Sequence, residues 1–556
     1  MKDNINLPKL KIVKPIGGFH GVSAIFPKLK DIFNYEEKKI IVSHGYPRFV
    51  SHPVIKIIES KFKEKFNALG AISCHSYESA VFLVIDYFFK RGNKIFFDEG
   101  LPTQIFEFLN QKFPNVVKKS DILQADILIV NRDGSEFSDL MNGKTVIALL
   151  GEESSDSIVS DINFDIIIHH DECHDIGIIL IYNIRLATLL ILRRHCGFNV
   201  SSRKIHKRKN VLPDKIAKHE MQLIKRISEL EHLNTEHCYL YPSGMAAIFT
   251  ALISLFSAKR PKFIALGSLY VDTLKILEKW PSKLNLDKTV FIRDDFENKL
   301  NHIIDEKTAG IILEIPSNPL IQLIDIENIV KVAHSKGAKV IVDNTIATPY
   351  NFNPFDYKVD IIVHSTTKFL SGKNNHIGGA LLTNDNEIGN KLKNFNKITN
   401  LNMDFNDVKT LSRNIRKFEE RMNKINFNSE IIANFLNNHK AVKKVYYPIL
   451  ENDPNYPLSK KYLKGGSGLL SFLLKESTKE NAEKFYDNIG PPILKGPSLG
   501  SEKSLLSPYV IMAHYDESKE ELQRLGLEFY LMRLSVGIEP VDFIIQSIES
   551  ALSKII

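Results

Sequence analysis

Residues 339–349 read KVIVDNTIATP, and residues 360–376 read DIIVHSTTKFLSGKNNH. In each stretch a short apolar run ends in polar residues, which are Asp343 and Asn344 in the first and Ser365 to Lys368 in the second. Runs of this kind predict the strands of a mostly parallel sheet that is covered by helices. Ligands of open α/β sheets bind beyond the carboxyl ends of the strands. These polar residues are therefore candidates for a functional site.

Other segments extend the pattern to the same edge of the sheet. The runs KFIALG (262–267), TVFIRD (289–294) and AGIILEI (309–315) predict further strands, and Tyr270 follows the first of them. The segment YPSGM (241–245) opens a helical run, so that free backbone N–H groups and the positive helix end lie beside the polar residues. One edge thus combines an anion-binding helix end, hydroxyl groups, an amine, a carboxylate and a tyrosine.

This combination matches the requirements of pyridoxal phosphate. The phosphate of that cofactor needs N–H and O–H donors, and its aldehyde needs an amine that titrates easily. Its ring nitrogen needs a carboxylate that keeps it protonated, so that the ring accepts electrons. Lys368 and Asp343 are the candidates for the amine and the carboxylate. No single residue carries the prediction, because a lysine or a strand-ending aspartate is common elsewhere.

Five motifs resemble the Cys/Met-metabolism pyridoxal-phosphate family, in order and spacing, over roughly residues 216–556. They are VDNTIATP, HSTTKFLSG, PSGMAAI, EIPSNP and LMRLSVGIE. The resemblance implies a fold-type I, aspartate aminotransferase-like α/β enzyme. Such an enzyme has a large domain with a mostly parallel sheet and a smaller α+β C-terminal domain. The expected activity lies in sulfur amino-acid metabolism.

The resemblance also implies roles for particular residues. Lys368 would form the Schiff base with the cofactor, Asp343 would pair with its ring nitrogen, and Tyr270 would stack on the ring and take part in catalysis. Arg533 would clamp the substrate carboxylate, which its planar fork binds bidentately. The remaining candidates are Gly244, Met245, Ser365 and Thr367 for the phosphate, Asn318 for the cofactor's hydroxyl side and for the substrate, and Ser498 and Lys503 for the substrate.

The N-terminal segment GYPRF (45–49) is similar to a Tyr-x-Arg segment of the family that crosses a dimer interface to the partner's phosphate. Tyr46 is therefore expected to contribute to catalysis and cofactor binding, and Arg48 to hold the phosphate. The segment lies about 200 residues before PSGMAAI, and this spacing, together with GPSLGSEKSLLSPYVIMAHY (496–515), resembles fungal-type cystathionine γ-synthases. A homodimer or homotetramer with active sites shared between subunits is implied.

The long spacing before PSGMAAI predicts an extra α/β unit. NKIFFDE, ADILIVN, KTVIALL and FDIIIHH indicate its strands, and residues 176–192 are predicted as a buried helix. Beyond residue 400, LLSFLL, PYVIMAH and YLMRLSVG predict strands of a smaller unit. Four regions are expected: an N-terminal arm (1–60), an α/β insert of unknown role (61–215), a cofactor-binding large domain (216–400) and a C-terminal small domain (401–556).

The resemblance predicts γ-replacement on an O-acyl-L-homoserine by a thiol, most simply by cysteine to give cystathionine. A γ- or β-elimination enzyme, a homoserine sulfhydrylase and a silent paralogue remain alternatives. The family pattern is altered at the tyrosine, which reads YVDT (270–273), and after the lysine, which reads GKNN (372–375). A usual glutamate is replaced by Lys503. A cation at that position could select an anionic substrate, unless the side chain points to solvent.

Composition narrows the class of protein further. The net charge of +8 over 556 residues is a weak basic bias, and the dense run at 203–209 has the character of a solvated linker, so no nucleic-acid partner is expected. Four cysteines without paired spacing and an N-terminus without an apolar targeting segment favour the cytoplasm, with no membrane span. The segment HHDECH (169–174) matches no common zinc pattern, so no metal is expected.

Overall fold

The computed structural model describes residues 9–10, 26–37, 39, 41–42, 52–88, 94–97, 116–117, 119–131, 144–150, 164–182, 186–205, 213–233, 236–257, 259–283 and 287–555. Near the start, strands β1 (Lys9–Leu10) and β2 (Ile41–Val42) pair in parallel, and helix α1 spans Leu29–Glu36. Helix α1 packs on the C-terminal part of the chain, where Leu29 N donates to Asp487 Oδ1 at 2.8 Å.

The first large sheet has seven strands in the order β3-β9-β8-β7-β6-β4-β5, in which β9 is antiparallel to both neighbours. Its strands are β3 Gly70–Cys74, β4 Ile95–Phe97, β5 Val116–Val117, β6 Ile127–Asn131, β7 Thr145–Leu150, β8 Ile166–Asp171 and β9 Ile176–Ile181. Helices α2 Pro53–Lys65, α3 Tyr77–Phe88 and α4 Leu186–Cys196 belong to this part. The four strands expected between residues 93 and 170 are confirmed.

The prediction of one buried helix over residues 176–192 was wrong. The segment forms strand β9 and then the first part of helix α4, with the strand residues completely buried. A continuous apolar run is compatible with a buried helix and with a central strand, because neither shows the periodicity that separates them.

The second large sheet follows the order β10-β16-β15-β14-β13-β11-β12, and β16 is antiparallel to its neighbours. The strands are β10 Cys238–Tyr241, β11 Lys262–Leu266, β12 Val290–Ile292, β13 Thr308–Glu314, β14 Lys339–Asp343, β15 Ile361–His364 and β16 Gly379–Thr383. The helices of this part are α5 Pro213–Leu230, α6 Gly244–Leu255, α7 Val271–Lys283, α8 Phe296–Ile303, α9 Ile326–Ser335, α10 Thr348–Asn351 and α11 Asn386–Thr399. The expected mostly parallel sheet is present.

The C-terminal part contains a five-stranded sheet in the order β17-β18-β21-β20-β19. Its strands are β17 Val442–Tyr446, β18 Leu469–Leu474, β19 Leu494–Lys495, β20 Leu505–Pro508 and β21 Met532–Ser535. Its helices are α12 Phe405–Asn414, α13 Phe418–Asn437, α14 Tyr456–Tyr462, α15 Lys479–Asn488, α16 Tyr509–Ala513, α17 Lys519–Arg524 and α18 Val541–Leu552. LLSFLL and YLMRLSVG form strands as predicted, whereas PYVIMAH was wrongly predicted: its core is helix α16, which follows strand β20.

The two seven-stranded sheets are joined through one hydrophobic core. Phe82 of α3 makes edge-to-face contacts with Phe249 of α6 and Phe395 of α11, at centroid distances of 5.9 and 5.7 Å. Phe198 packs edge-to-face on the same Phe249 ring at 5.6 Å. Buried aromatic pairs of this kind contribute about 0.5–1.5 kcal/mol each beyond their buried area. The first sheet is therefore a packed neighbour of the second. None of the helices in the described ranges has the length and apolar character to cross a bilayer.

Candidate active site

The carboxyl ends of the strands of the second sheet open onto a cavity of about 200 Å³. Polar side chains follow β11, β13, β14 and β15 at this edge, as the sequence predicts. Gly244, Met245, Tyr270, Asn318, Asp343, Ser365, Thr367, Lys368 and Arg533 all lie on the cavity wall. Nine of the residues expected at the site are thus brought together.

The start of helix α6 forms one end of the cavity. The Ser243 hydroxyl caps the helix by accepting from Ala246 N at 3.0 Å. A Cβ atom on Gly244 would lie 2.7 Å from Ser365 Cβ, so only glycine permits this close approach of the helix to the β15 loop. The loop is held in turn by Thr345, whose hydroxyl accepts from Ser365 N at 2.7 Å. Helix N–H groups and hydroxyls in this arrangement suit an anionic group.

Two carboxyl groups occupy the floor of the cavity. Glu314 and Asp343 are register partners on the parallel strands β13 and β14. Burial raises the pKa of both groups, and the nearby Asp343 carboxylate raises the pKa of Glu314 further, well above its usual value. Asp343 Oδ1 accepts from Thr345 N at 3.0 Å, which opposes the upward shift of the Asp343 pKa. The pair would be stabilised by a cationic N–H group bound next to Asp343.

Lys368 lies just beyond strand β15 and is buried. Its Nζ donates to the hydroxyl of Ser498 at 3.1 Å. The Ser498 hydroxyl donates to Asn374 Oδ1 at 3.2 Å. Ser498, expected on the substrate side, is therefore a direct partner of the lysine amine, and the altered residue Asn374 supports it.

Arg533 on β21 brings a guanidinium group from the C-terminal sheet to the cavity. Its Nη1 donates to Asn318 Oδ1 at 3.0 Å, and its Nη2 donates to the Pro497 carbonyl at 2.6 Å. The guanidinium also lies over the Tyr509 ring, with its carbon 4.7 Å from the ring centroid. Asn318 in turn donates to the Tyr509 hydroxyl at 3.3 Å. These contacts fix the direction of a buried arginine fork.

Tyr270 is held from two sides. Its backbone N–H donates to the Glu314 carboxyl group, and its hydroxyl donates to Asp272 Oδ2 at 3.1 Å. Asp272 also accepts from Arg194 Nη2 of helix α4 at 2.8 Å. In the altered segment YVDT, the Asp272 carboxylate thus lies between the Tyr270 hydroxyl and Arg194 of helix α4.

Three further residues are expected at the site. Lys503 is exposed and does not contribute to the cavity wall, and its expected contact with the substrate stays a prediction. Tyr46 and Arg48 lie outside the described residues. His52, four positions after Arg48, does line the cavity.

Sequence reasoning missed Glu314, Asp272, Arg194 and Tyr509. Glu314 could have been found, because it ends strand β13 and is the first residue of the motif EIPSNP. Arg194 carries no such signal, because it ends a helix in a region for which no chemistry was predicted. Its role depends on the packing of α4 against α7.

The donor set fits pyridoxal phosphate. A helix end with hydroxyls, a buried lysine amine and the acidic pair of Glu314 and Asp343 correspond to the phosphate, the aldehyde and the ring nitrogen. Among the described residues, no group of three or more His, Cys, Asp or Glu side chains is arranged to hold a metal ion. The HHDECH segment forms the end of β8 and the turn to β9, where His174 Nδ1 contacts Asp171 Oδ2 at 2.7 Å.

Comparison with known proteins supports this interpretation. The chain is 35% identical over 321 residues to the cystathionine β-lyase of Lactococcus lactis subsp. cremoris, covering 57% of this chain and 82% of the relative. It is 35% identical over 349 residues to the cystathionine γ-synthase of Neurospora crassa, covering 60% of this chain and 54% of the relative. The crystal structure of cystathionine γ-synthase from Xanthomonas oryzae pv. oryzae, in complex with aminoacrylate and cysteine, matches with a TM-score of 0.57 and 25% identity, over 63% of this chain and 89% of that one.

The structural match confirms the expected fold, a fold-type I enzyme with a mostly parallel large-domain sheet. The sequence profile of the family described as Cys/Met metabolism PLP-dependent enzyme matches residues 217–553. That range contains all nine candidates that line the cavity, together with Ser498. The relatives include both synthases and lyases, which share pyridoxal phosphate as cofactor. The chain therefore belongs to the Cys/Met-metabolism family of PLP-dependent enzymes.

Proposed function

We propose that this enzyme catalyses γ-replacement on an O-acyl-L-homoserine, in which the thiol of cysteine displaces the acyloxy group to form cystathionine. The observation that carries the proposal is the convergence of Lys368, Asp343 and Arg533 on one cavity. The likeness to fungal-type synthases in sequence, including the match to the Neurospora enzyme, favours replacement within the family. The acyl group is proposed to be succinyl or acetyl.

Arg533 is proposed to bind the α-carboxylate of the amino-acid substrate. Its buried guanidinium is already oriented by Asn318 and the Pro497 carbonyl, so little side-chain freedom is lost on binding. Ser498 links the two halves of the site, because its hydroxyl contacts Lys368 and its carbonyl accepts from Arg533 at 3.3 Å. A substrate clamped by Arg533 would therefore present its amine and α-carbon towards Lys368.

Lys368 is proposed to attach the cofactor and to move protons. When bound, pyridoxal phosphate withdraws electron density from the substrate carbon next to the amine. The freed Lys368 amine would take the α-proton, and a β-proton is lost next, which expels the acyloxy group from the γ-carbon. The thiol of cysteine then adds at the γ-carbon, and protons return to the β- and α-carbons. In the net reaction the acyloxy group leaves as the carboxylic acid with the proton of the thiol, and the thioether bond of cystathionine forms.

The remaining cavity residues are proposed to hold the cofactor. Asp343 would keep the ring nitrogen protonated, and Tyr270 would cover the ring. Gly244, Met245, Ser365 and Thr367 would bind the phosphate at the α6 end, with Asn318 on the hydroxyl side. Tyr46 and Arg48 stay proposed contributors to catalysis and to phosphate binding.

The second candidate is elimination, which the 35% identity to the Lactococcus β-lyase favours equally. Both reactions use the same lysine, acid and arginine, so the cavity supports either. The test is to incubate the holoenzyme with O-succinyl- or O-acetylhomoserine, with and without cysteine, and to identify the products. Cystathionine formed only with cysteine supports replacement. A 2-oxo acid and ammonia, formed at the same rate in both cases, would contradict it.

The compartment is proposed to be the cytoplasm. None of the four cysteines, Cys74, Cys173, Cys196 and Cys238, is joined to another in a disulfide bond, and three of them are buried. Free thiols persist in a reducing compartment. Fractionation of cells that express the tagged protein would test this, and recovery with a secreted or membrane fraction would contradict it.

A further inference from the structure

The two seven-stranded sheets have the same topology. Numbered from one to seven along the chain within each sheet, the strands of both follow the order 1-7-6-5-4-2-3. In both sheets the seventh strand is antiparallel to the first and the sixth, and all other pairs are parallel. Residues 52–205, here called the N-terminal unit, thus repeat the architecture of the cofactor-binding sheet.

A local detail strengthens the correspondence. In the N-terminal unit, Asp165 precedes the sixth strand, and its Oδ2 accepts from Val146 N of the fifth strand at 3.0 Å. In the second sheet, Asp360 precedes the sixth strand, and its Oδ2 accepts from Val340 N of the fifth strand at 2.8 Å. An aspartate at the equivalent position thus makes the equivalent hydrogen bond in both sheets.

The register of these strands shows what the N-terminal unit lacks. Leu149 pairs with the third residue of the sixth strand, as Asp343 does in the second sheet. Asn131 pairs with Leu149, as Glu314 pairs with Asp343. The link from the sixth to the seventh strand, which carries Lys368 in the second sheet, is reduced to residues 172–175, with no lysine. The equivalent positions of the N-terminal unit therefore hold neither the acidic pair nor the lysine.

The two units face each other through equivalent helices. Helix α3, after the first strand of the N-terminal unit, packs on α11, after the seventh strand of the other. Reciprocally, α4 packs on α6. Ser76, next to the start of α3, donates to the Thr399 carbonyl at 2.7 Å, and Ser243, next to the start of α6, donates to the Gly197 carbonyl at 2.8 Å. Reciprocal contacts of equivalent surfaces are the property of a two-fold dimer interface. Here both halves belong to one chain.

The N-terminal unit also completes the cavity. His52, Arg193, Arg194, Ser202 and Arg203 lie on its wall, opposite the strand ends of the second sheet. Arg194 reaches Asp272, and through it the Tyr270 hydroxyl. Arg203 Nη2 donates to the Asn375 carbonyl at 2.6 Å, in the segment where the family pattern is altered. Both alterations, YVDT and GKNN, thus contain a residue that the N-terminal unit contacts.

We propose that the N-terminal unit is a second copy of the cofactor unit that has lost its own cofactor groups and serves, within the same chain, as the facing half of the site. Each chain then builds one complete cavity without a wall from another chain. Arg194 acts in it as a positioning residue that holds Tyr270 through Asp272. The proposal replaces the expectation of sites shared between subunits, and it requires the cofactor, whichever reaction the enzyme catalyses.

The test uses cofactor binding by full-length chains. Arg194→Glu places a second carboxylate beside Asp272, and we expect the affinity for pyridoxal phosphate to fall at least about tenfold, a loss of about 1.4 kcal/mol. Lys61→Glu, a charge reversal on the exposed face of α2, is the matched control and should bind like wild type. Arg194→Lys, which keeps the charge, should recover part of the affinity. An unchanged affinity of Arg194→Glu would overturn the positioning role.

Co-expression then decides between one chain and two. Arg194→Glu chains keep Lys368, and Lys368→Ala chains keep Arg194. If a second chain supplied the wall, hybrids would unite intact Arg194 with intact Lys368, and the absorbance of lysine-bound cofactor would recover at limiting cofactor. We expect no recovery. Recovery would overturn the proposal.

Sedimentation of the wild type should show one cofactor per 63.3 kDa chain at dilutions where the chain is a monomer. If the chain forms dimers but the hybrids show no recovery of the absorbance, the result still supports the proposal. If the cofactor is lost when dimers dissociate into monomers, the result contradicts it.

Discussion

Glu314 and Asp343 lie side by side at the ends of two adjacent parallel strands, where Glu314 is buried, Asp343 is partly buried and both line the cavity. Their raised pKa values follow from burial, and for Glu314 from the proximity of Asp343 as well. Between the ordinary pKa of a carboxyl group and the raised one, the folded apoenzyme binds more protons than the unfolded chain. Its free energy of unfolding therefore falls as the pH rises through that window.

Asp343→Asn should consequently stabilise the apoenzyme at neutral pH while it weakens catalysis. The melting temperature should exceed that of wild-type apoenzyme at about pH 7.5, and the difference should shrink as the pH falls, because protonation removes the charge of the buried pair. Turnover should fall about ten- to hundredfold, because a charged hydrogen bond to the ring nitrogen is lost. Calorimetry and steady-state kinetics measure the two effects. A lower melting temperature of the variant at neutral pH would contradict the assignment.

Lys368→Ala should abolish turnover without loss of the fold. Both the attachment of the cofactor and the proton transfer depend on its amine, and proton transfer alone contributes about 10²–10⁴-fold. Circular dichroism should match wild type, while the absorbance of lysine-bound cofactor disappears. Ser498→Ala, which removes the hydroxyl partner of the amine, should keep that absorbance and shift its pH dependence. Turnover of the Lys368→Ala variant close to wild type would refute the role of the lysine.

Arg533→Lys should raise KM for the amino-acid substrate about ten- to hundredfold with a smaller effect on kcat. A lysine keeps the charge but cannot form two parallel hydrogen bonds to a carboxylate, and it loses the bonds to Asn318 and Pro497. The control is cofactor affinity, which should stay within about twofold. An equal loss of cofactor affinity would place Arg533 at the cofactor and not at the substrate.

Lys503→Ala should change kcat/KM by less than about fivefold for succinyl and acetyl leaving groups alike. The side chain is exposed and lies outside the cavity wall, and exposed charges contribute at most about 1 kcal/mol. Kinetics with both substrates measure the ratio. A selective loss with the succinyl substrate would show that Lys503 contributes to substrate specificity. The loop at 501–504 would then have to move towards the cavity.

Gly197→Ala should destabilise the contact between the two units. A Cβ atom there would overlap Ala246 N and the Ser243 hydroxyl at the start of α6, and the glycine has a φ of +74° that disfavours alanine. We expect a loss of about 1–3 kcal/mol in the free energy of unfolding. Gly490→Ala, where a Cβ atom meets nothing within 4 Å, should stay within about 0.5 kcal/mol. Equal stabilities of the two variants in denaturant titration would show that the contact is loose.

Several features of the site could be predicted from local sequence. Strands that end in polar residues deliver those residues to one edge of a parallel sheet, so Asp343, Ser365 and Lys368 were found from the pattern of apolar runs. Arg533 and Asn318 came from motif resemblance, and the structure brings them within 3.0 Å of each other. The apolar runs at 176–192 and 508–514 were misread, because a mainly apolar run lacks the alternation of polar positions that distinguishes a strand from a helix.

The sequence alone thus determined the fold of the cofactor-binding part and the cofactor, and it led to the proposal that Lys368 holds it. Only the tertiary structure decided that Lys503 faces solvent, that Glu314 accompanies Asp343, and that Arg194 reaches Tyr270 through Asp272. The physical reason is that strand ends are local properties of the chain, whereas the contacts of Glu314 with Asp343 and of Arg194 with Asp272 join residues tens of positions apart. The topology of the N-terminal unit was hidden for the same reason. A repeat that keeps its strand order but has lost its lysine and its acids leaves no motif in the sequence, and only the pairing of its strands reveals it.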